Sequence, residues 1–323
     1  MAKRIIVTGA AGFIGRNTVA ELNRRGYDNL LLTDILGTDE KWKNLVGLKF
    51  DDLISPNDLL VELTDETFDD IETIIHLGAC SATTERNADY LLENNTHYTA
   101  DLAEWCLEHD VRFVYASSAA TYGDGSLGYS DDDAVTPTLR PLNMYGYSKH
   151  LFDLQAMKRG WFDHIVGLKY FNVFGPYEDH KDNMRSVVNK AYQQILATGE
   201  VTLFKSDRHD YRDGEQKRDF VYVKDAVDVT LHFAFDRSRS GLFNCGTGIA
   251  RTWLDLANAT FAAMGKKPNI RFVDLPDNLK GKYQYFTEAD AKKLRAAGYT
   301  RAFTSLEDSV KDYVDSYLRP TYG

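Results

Sequence analysis

The run Gly9-Ala10-Ala11-Gly12-Phe13-Ile14-Gly15 constrains this chain more than any other stretch. Apolar residues precede it at Ile5, Ile6 and Val7, and others follow it at helical spacing. It therefore predicts a tight turn from a strand over Arg4 to Thr8 into a helix over Phe13 to Arg25. Glycine at such a turn lets backbone approach a pyrophosphate, and the open N–H groups and dipole of the helix N-terminus favour its charge. A second apolar run, Leu30 to Asp34, ends in an acid at the position where a ribose hydroxyl is bound. Gly9, Gly12, Gly15 and Asp34 thus read as a dinucleotide site. Asp34 taken alone favours NAD, because it repels a 2′-phosphate. Lys41 and Lys43, in the loop that follows, can neutralise such a phosphate, so the residues leave NAD and NADP both open.

Short apolar runs continue to alternate with helical stretches, the pattern of repeated βα units building a parallel sheet. Thr73 to His76, Arg112 to Ala116 and His164 to Tyr170 read as further strands, and Tyr90 to His109 and Tyr145 to Lys158 as helices. Beyond Asn172 a helix is expected over Met184 to Leu196, a surface loop over Asp207 to Glu215, and a strand over Asp219 to Val223. A helix over Ala226 to Phe235 and a strand over Leu242 to Gly248 follow. The expected fold is α/β, a Rossmann-type doubly wound parallel sheet with a smaller, discontinuous substrate lobe. Residues 1–172 and 218–244 would form the dinucleotide-binding domain, and 173–217 and 245–323 the lobe. With 323 residues, 43% of them hydrophobic, the chain can bury a large core.

Composition narrows the partners. A net charge of −10 opposes nucleic acid, whose phosphates need clustered cations. No apolar run is long enough to span a membrane. Cys80, Cys106 and Cys245 lack the spacing of a zinc site or a disulfide framework, and read as free thiols in a reducing cytosol. Met1-Ala2-Lys3-Arg4 leads into the first strand without a signal-peptide pattern, so a cytoplasmic protein is expected. His180 has no partner at ligand spacing, and no metal is expected.

Tyr145 and Lys149 are four apart and share a helix face. An ammonium beside a phenol lowers its pKa and makes tyrosine a usable general base. Tyr147, between them, is out of register. Ser118, at the carboxyl end of a predicted strand, can share the reacting oxygen of a substrate with Tyr145. Tyr170-Phe171-Asn172-Val173-Phe174-Gly175-Pro176 ends another strand, and Arg218-Asp219-Phe220-Val221-Tyr222-Val223 follows later.

In the order and spacing of these motifs, across essentially its whole length, the chain resembles the extended short-chain dehydrogenase/reductase family. Further segments narrow the likeness to members that epimerise an ADP-linked heptose. These are Gly78-Ala79-Cys80-Ser81-Ala82-Thr83-Thr84-Glu85, Ser117-Ser118-Ala119-Ala120-Thr121-Tyr122-Gly123, His180-Lys181 after Gly175-Pro176, and Leu279-Lys280-Gly281-Lys282-Tyr283-Gln284 leading to Phe286-Thr287. The resemblance implies a sugar-nucleotide epimerase that inverts C6 through transient oxidation to a ketone and re-reduction from the opposite face. UDP-hexose 4-epimerases and 4,6-dehydratases are the neighbouring alternatives, although Ala119 and Ala120 offer no acid or base for elimination.

The resemblance also assigns roles. Tyr145, Lys149 and Ser118 would be catalytic, with Lys181 as a second acid/base opposite Tyr145, kept neutral part of the time by burial or by cations such as Arg185. The cofactor would touch Phe13, Ile14, Ile35, Lys41, Leu77, Gly78, Ala79, Cys80, Asn94, Val173 and Lys181, besides Tyr145, Lys149, Asp34 and the glycines. It would be NADP, with NAD as the alternative, held tightly at one per subunit. The nucleotide-sugar substrate would meet Ser81, Ser118, Asn172, Asn183, Lys190, Phe204, Lys205, Ser206, Arg218 and Tyr283. Arg218, whose planar fork matches phosphate oxygens, is the candidate for the diphosphate. A homo-oligomer is implied.

Overall fold

A computed structural model describes residues 3–68, 70–277 and 283–322. Its strands are β1 (Arg4–Thr8), β2 (Leu30–Thr33), β3 (Asp52–Ile54), β4 (Ile71–His76), β5 (Arg112–Ser118), β6 (Val166–Tyr170), β7 (Asn172–Phe174), β8 (Val201–Phe204), β9 (Lys217–Tyr222), β10 (Gly241–Cys245), β11 (Ala250–Thr252) and β12 (Ile270–Val273). Seven of them form one sheet in the order β10-β6-β5-β4-β1-β2-β3, and every neighbouring pair in it is parallel. The order reverses between β1 and β4, so a crevice opens outside the carboxyl ends of these two strands.

The sheet is apolar on both faces, as a parallel sheet covered by helices must be. Ile5 and Val7 join one core with Leu30, Leu32, Val114 and Leu168. Ile6, one residue out of phase, joins another with Leu31, Ile74 and Phe113 on the opposite face. The chain leaves this sheet after β6 and returns with β10. Between them β7 pairs in parallel with β9, which pairs antiparallel with β11, and β8 pairs in parallel with β12. Ala191, Ile195, Val201, Leu203, Ala257 and Phe261 make a separate small core there.

The expected elements are present with ends shifted by a few residues. The long helix expected from Tyr90 is Ala88–Leu92 and Tyr98–Glu108, joined through a π-helical turn at Glu93–His97. The helix expected from Met184 starts at Val187, because Ser186 caps it by accepting from the Asn189 N–H. The last strand stops at Cys245 rather than Gly248. The sequence reading did not include β3 or the helix Pro56–Thr64. The three cysteines are unpaired. Among the described residues no helix is long and apolar enough to cross a membrane.

Candidate active site

The glycine turn has the geometry expected of it. Gly9 has φ +65°, and a Cβ there would lie 2.7 Å from Gly78 Cα, so the loops after β1 and β4 touch through bare backbone. A Cβ on Gly15 would sit 2.0 Å from the Gly9 carbonyl oxygen. Gly12 caps the helix Phe13–Arg24 without a side chain over its N–H groups, leaving donors and dipole open to an anion. These features fit a pyrophosphate-bearing cofactor.

Beside the turn lies a cavity of about 440 Å³ lined by Gly9, Asp34, Lys41, Gly78, Cys80 and Asn94, among others. Ile35 and Ala79 also line it. Asp34 accepts from the Ala11 N–H at 2.8 Å and from the Lys41 ammonium at 2.5 Å. Lys43 pairs instead with Glu40. Of the two candidate cations only Lys41 therefore meets the acid. Thr8, at the end of β1, donates or accepts at the buried His76 ring at 2.7 Å and accepts from the Gly78 N–H. Burial holds His76 far down, near 3, with the Lys149 charge adding to it, so His76 is a neutral strut.

Tyr145 and Lys149 lie on the helix Met144–Lys158, whose N-cap Asn143 accepts from the Gly146 N–H. Gly146 is required, because a Cβ there would meet the Ala120 carbonyl oxygen at 2.7 Å. This close approach sets the helix against the turn that follows Ser118. The Ser118 hydroxyl hydrogen-bonds to Tyr145. It also accepts from the Ala120 N–H at 3.1 Å. Lys149 is almost wholly buried, and burial lowers its pKa to about 8 against the pull of Asp153.

The expected depression of the Tyr145 phenol is corrected by this geometry. Burial raises it, and the Ser118 bond offsets only part. Asp153 is the main charge that acts on Lys149, and Lys149 does not offset the rise of the phenol. Asp153 is itself fully buried, accepting from the Tyr115 and Ser117 hydroxyls at 2.7 and 2.8 Å and pairing with Lys169 at 3.5 Å.

Lys181 lies in the 3₁₀ turn Asp179–Met184. Its ammonium stands 5.0 Å over the Phe13 ring. With Asn172, Val173 and Arg185 it lines a cavity of about 280 Å³. Burial lowers its pKa, Glu178 raises it, and Lys190 lowers it further. The cation that acts on Lys181 is thus Lys190 and not Arg185. Lys190 donates to the Asn183 carbonyl at 2.6 Å, and Arg185 acts on Lys190 in turn.

The remaining substrate candidates divide. Arg218 is buried, donating to the Lys217 and Gln284 carbonyls, with its guanidinium over the Trp253 ring at 5.7 Å and the Tyr283 ring at 5.2 Å. Phe204 meets Tyr283 edge to face at 6.5 Å. These four form one cluster. Lys205 instead points out to Asp274, Ser206 donates to the Arg208 carbonyl, and Ser81 is exposed. Asn172 accepts from Thr287 at 3.3 Å. Asn94 faces the cavity beside Asp34. Leu77 and Ile14 are partly buried around the turn. The motif residues Leu279 to Lys282 lie outside the described residues.

Comparison with known proteins places this arrangement. A model of the NAD dependent epimerase/dehydratase family matches residues 5–246. The chain belongs to that family. A curated ADP-L-glycero-D-manno-heptose-6-epimerase of Nitratidesulfovibrio vulgaris is 53% identical over 97% of both chains. Another, from Fusobacterium nucleatum, is 47% identical over 97% of this chain and 98% of its own. The crystal structure of the Helicobacter pylori ADP-L-glycero-D-manno-heptose-6-epimerase superposes with a TM-score of 0.82 at 26% identity, covering 98% of this chain and 96% of that one. As a member of the epimerase/dehydratase family the chain binds NAD(P).

This epimerase/dehydratase site also uses residues the sequence reading did not single out. Ser55, Pro56, Asn57 and Leu60 line the cavity beside Asp34. They come from the helix Pro56–Thr64, and its start was written in the chain: Ser55 as N-cap, Pro56 in the first turn and Asp58 closing the cap. Asp153 and Lys169 left no such signal, because a charged residue within an apolar helix or strand reads as its solvent face.

Proposed function

We propose that this enzyme inverts C6 of ADP-D-glycero-D-manno-heptose to give ADP-L-glycero-D-manno-heptose. The observation that carries the reading is that two acid/base groups reach the carboxyl edge of the sheet from different elements. Tyr145 comes from the helix beside β5, and Lys181 from the turn above Phe13. Inversion needs such a pair, since one base does not serve the alcohol in both orientations.

Residues around Gly9, Gly12, Gly15, Asp34 and Cys80 would hold the cofactor, and Val173, Lys149 and Lys181 would border its reactive end. Bound NAD(P) supplies the hydride acceptor and donor that let C6 pass through a ketone. Tyr145, sharing the oxygen with Ser118, holds or takes the proton of the alcohol in one configuration, and Lys181 does so in the other. Lys149 keeps a cation near the phenol side. Arg218, set between Trp253 and Tyr283, is assigned to the diphosphate. Its pairing with two backbone carbonyls fixes the planar fork before any ligand arrives.

NADP is the form we favour. Lys41 neutralises Asp34, so a 2′-phosphate would meet a compensated carboxylate. We also assign 1–172 and 218–244 to cofactor binding, 173–217 and 245–323 to the substrate lobe, and expect a cytoplasmic homo-oligomer with one tightly held cofactor per subunit.

The test is to incubate the purified protein, with no added cofactor, with ADP-D-glycero-D-manno-heptose and follow the C6 proton by NMR. The dinucleotide released on denaturation is then identified. Conversion to the L-glycero epimer supports the proposal. A loaded cofactor without conversion, together with turnover of UDP-hexoses, overturns it.

A further inference from the structure

Glu178 is fully buried yet makes no part of the expected chemistry. It follows Tyr177, an aromatic residue at φ +71°, a conformation that costs strain and persists only when surroundings enforce it. The enforcement is visible: the Arg16 guanidinium stacks 3.6 Å over the Tyr177 ring, and Tyr317 packs against it edge to face. This bend turns the Glu178 side chain inward. Its carboxylate accepts from the Ser186 N–H at 2.6 Å, the Ser186 hydroxyl at 2.5 Å and the Tyr313 hydroxyl at 3.0 Å. Ser186 is the N-cap of the helix Val187–Thr198. One carboxylate thus joins the two ends of the loop that carries Lys181.

The same loop carries further ties. The Lys181 N–H donates to the Glu178 carbonyl at 3.0 Å, and Asn189 of the helix donates to Asp179 at 3.1 Å and to Tyr313 at 3.0 Å. Glu178 and Lys181 line one cavity with Asn172. We propose that Glu178 is the positioning residue of the second acid/base: it pins the Lys181 loop at both ends and sets a carboxylate on the cavity that Lys181 also lines. The proposal rests on the assignment of Lys181 made above.

The electrostatics agree. Burial pushes Glu178 up and Lys181 down, and each charge opposes the shift in the other. The other groups that bear on them are Lys190, which lowers Lys181, and Ser186 and Tyr313, which donate to Glu178. Removing the carboxylate charge leaves Lys181 with burial and Lys190 alone, both of which lower its pKa. Lys181 then loses its proton at lower pH.

Three variants separate the outcomes. In Glu178→Gln, which keeps the shape and removes the charge, Lys181 followed by NMR of ¹³C-methylated lysines titrates at lower pH than in the parent protein. The matching limb of the pH–rate profile moves with it, while cofactor content is unchanged. In Ser186→Ala, which keeps the charge and loosens the loop, kcat falls on the order of 100-fold at nearly constant KM, the scale of a small misplacement. Ser186→Ala also carries the test if Glu178→Gln does not fold. An unchanged Lys181 titration and pH profile in folded Glu178→Gln, or unchanged kcat in Ser186→Ala, overturns the proposal. Lys181→Met tests the underlying assignment separately, because wild-type turnover in it removes Lys181 from the chemistry whatever Glu178 does.

Discussion

Tyr145 rides on a 15-residue helix whose inner face holds Lys149, Phe152 and Asp153 out of solvent, whereas Lys181 rides on a turn of six residues with no core of its own. The first group is placed by packing: a bare glycine against Ala120, apolar contacts on the sheet, and a buried carboxylate shared with β5 and β6. The second is placed by polar ties to a helix cap. Groups with matching tasks in one reaction can therefore be held by unrelated means. The packed side resists displacement as a unit, while the tied side depends on a few hydrogen bonds, each worth about 0.5–1.5 kcal/mol net.

The largest effect that tests this contrast is Tyr145→Phe. It should lower kcat on the order of 1,000-fold, within the range of a lost general acid/base, while dinucleotide content and thermal unfolding stay as in the parent. A loss confined to KM would break the comparison, since Tyr145 would then only bind. Next, Lys181→Met should lower kcat about 100-fold, with cofactor content retained. Hydrogen exchange sharpens the contrast without mutation. Amides of the helix Met144–Lys158 should exchange on the slow scale of the core, and those of the turn Asp179–Met184 much faster. Equal protection in both would remove the distinction.

A different kind of test is a pH dependence on the packed side. Lys149 titrates at about 8 in the fold against an ordinary lysine value of 10.5, so between these values the unfolded chain binds more protons and stability rises with pH. Below about 8 the buried ammonium is charged in both states and that gain is absent. Relative to Lys149→Met, the wild type should gain stability as pH climbs from about 8 to 10.5, read by denaturant unfolding. A flat difference would place the Lys149 ammonium in solvent.

The packed side was also the legible one. Strand, glycine turn, helix and the Tyr145–Lys149 pair are local patterns, and Arg4–Thr8 was read to the residue. The smaller sheets are built differently. β7 finds its partner β9, and β8 its partner β12, across long stretches of chain, with strands of 3 to 6 residues too short to show a period. Arg218 meets Tyr283 across a similar separation, where the Lys217 N–H donates to the Tyr285 carbonyl and the Thr287 N–H to the Lys217 carbonyl. The raised Tyr145 phenol was not legible either, because spacing records which charges are near but not how much water is excluded.

The π-helical turn at Glu93–His97 carries a consequence for how this chain can change. Within it the buried Asn95 accepts from the Cys80 N–H at 2.8 Å and donates to the Cys80 carbonyl and to the Ser148 hydroxyl at 2.9 and 3.0 Å. A π turn holds one residue more than the α-helix allows, so it has the form of an insertion absorbed in place. Deleting a single residue there would restore an ordinary helix, yet swing everything on one side of the cut by roughly 100° about the axis. Asn95 would leave the Cys80 loop and Ser148 together. Point substitutions can drift along that helix, but its length at this turn is fixed by the loop and the helix it reads.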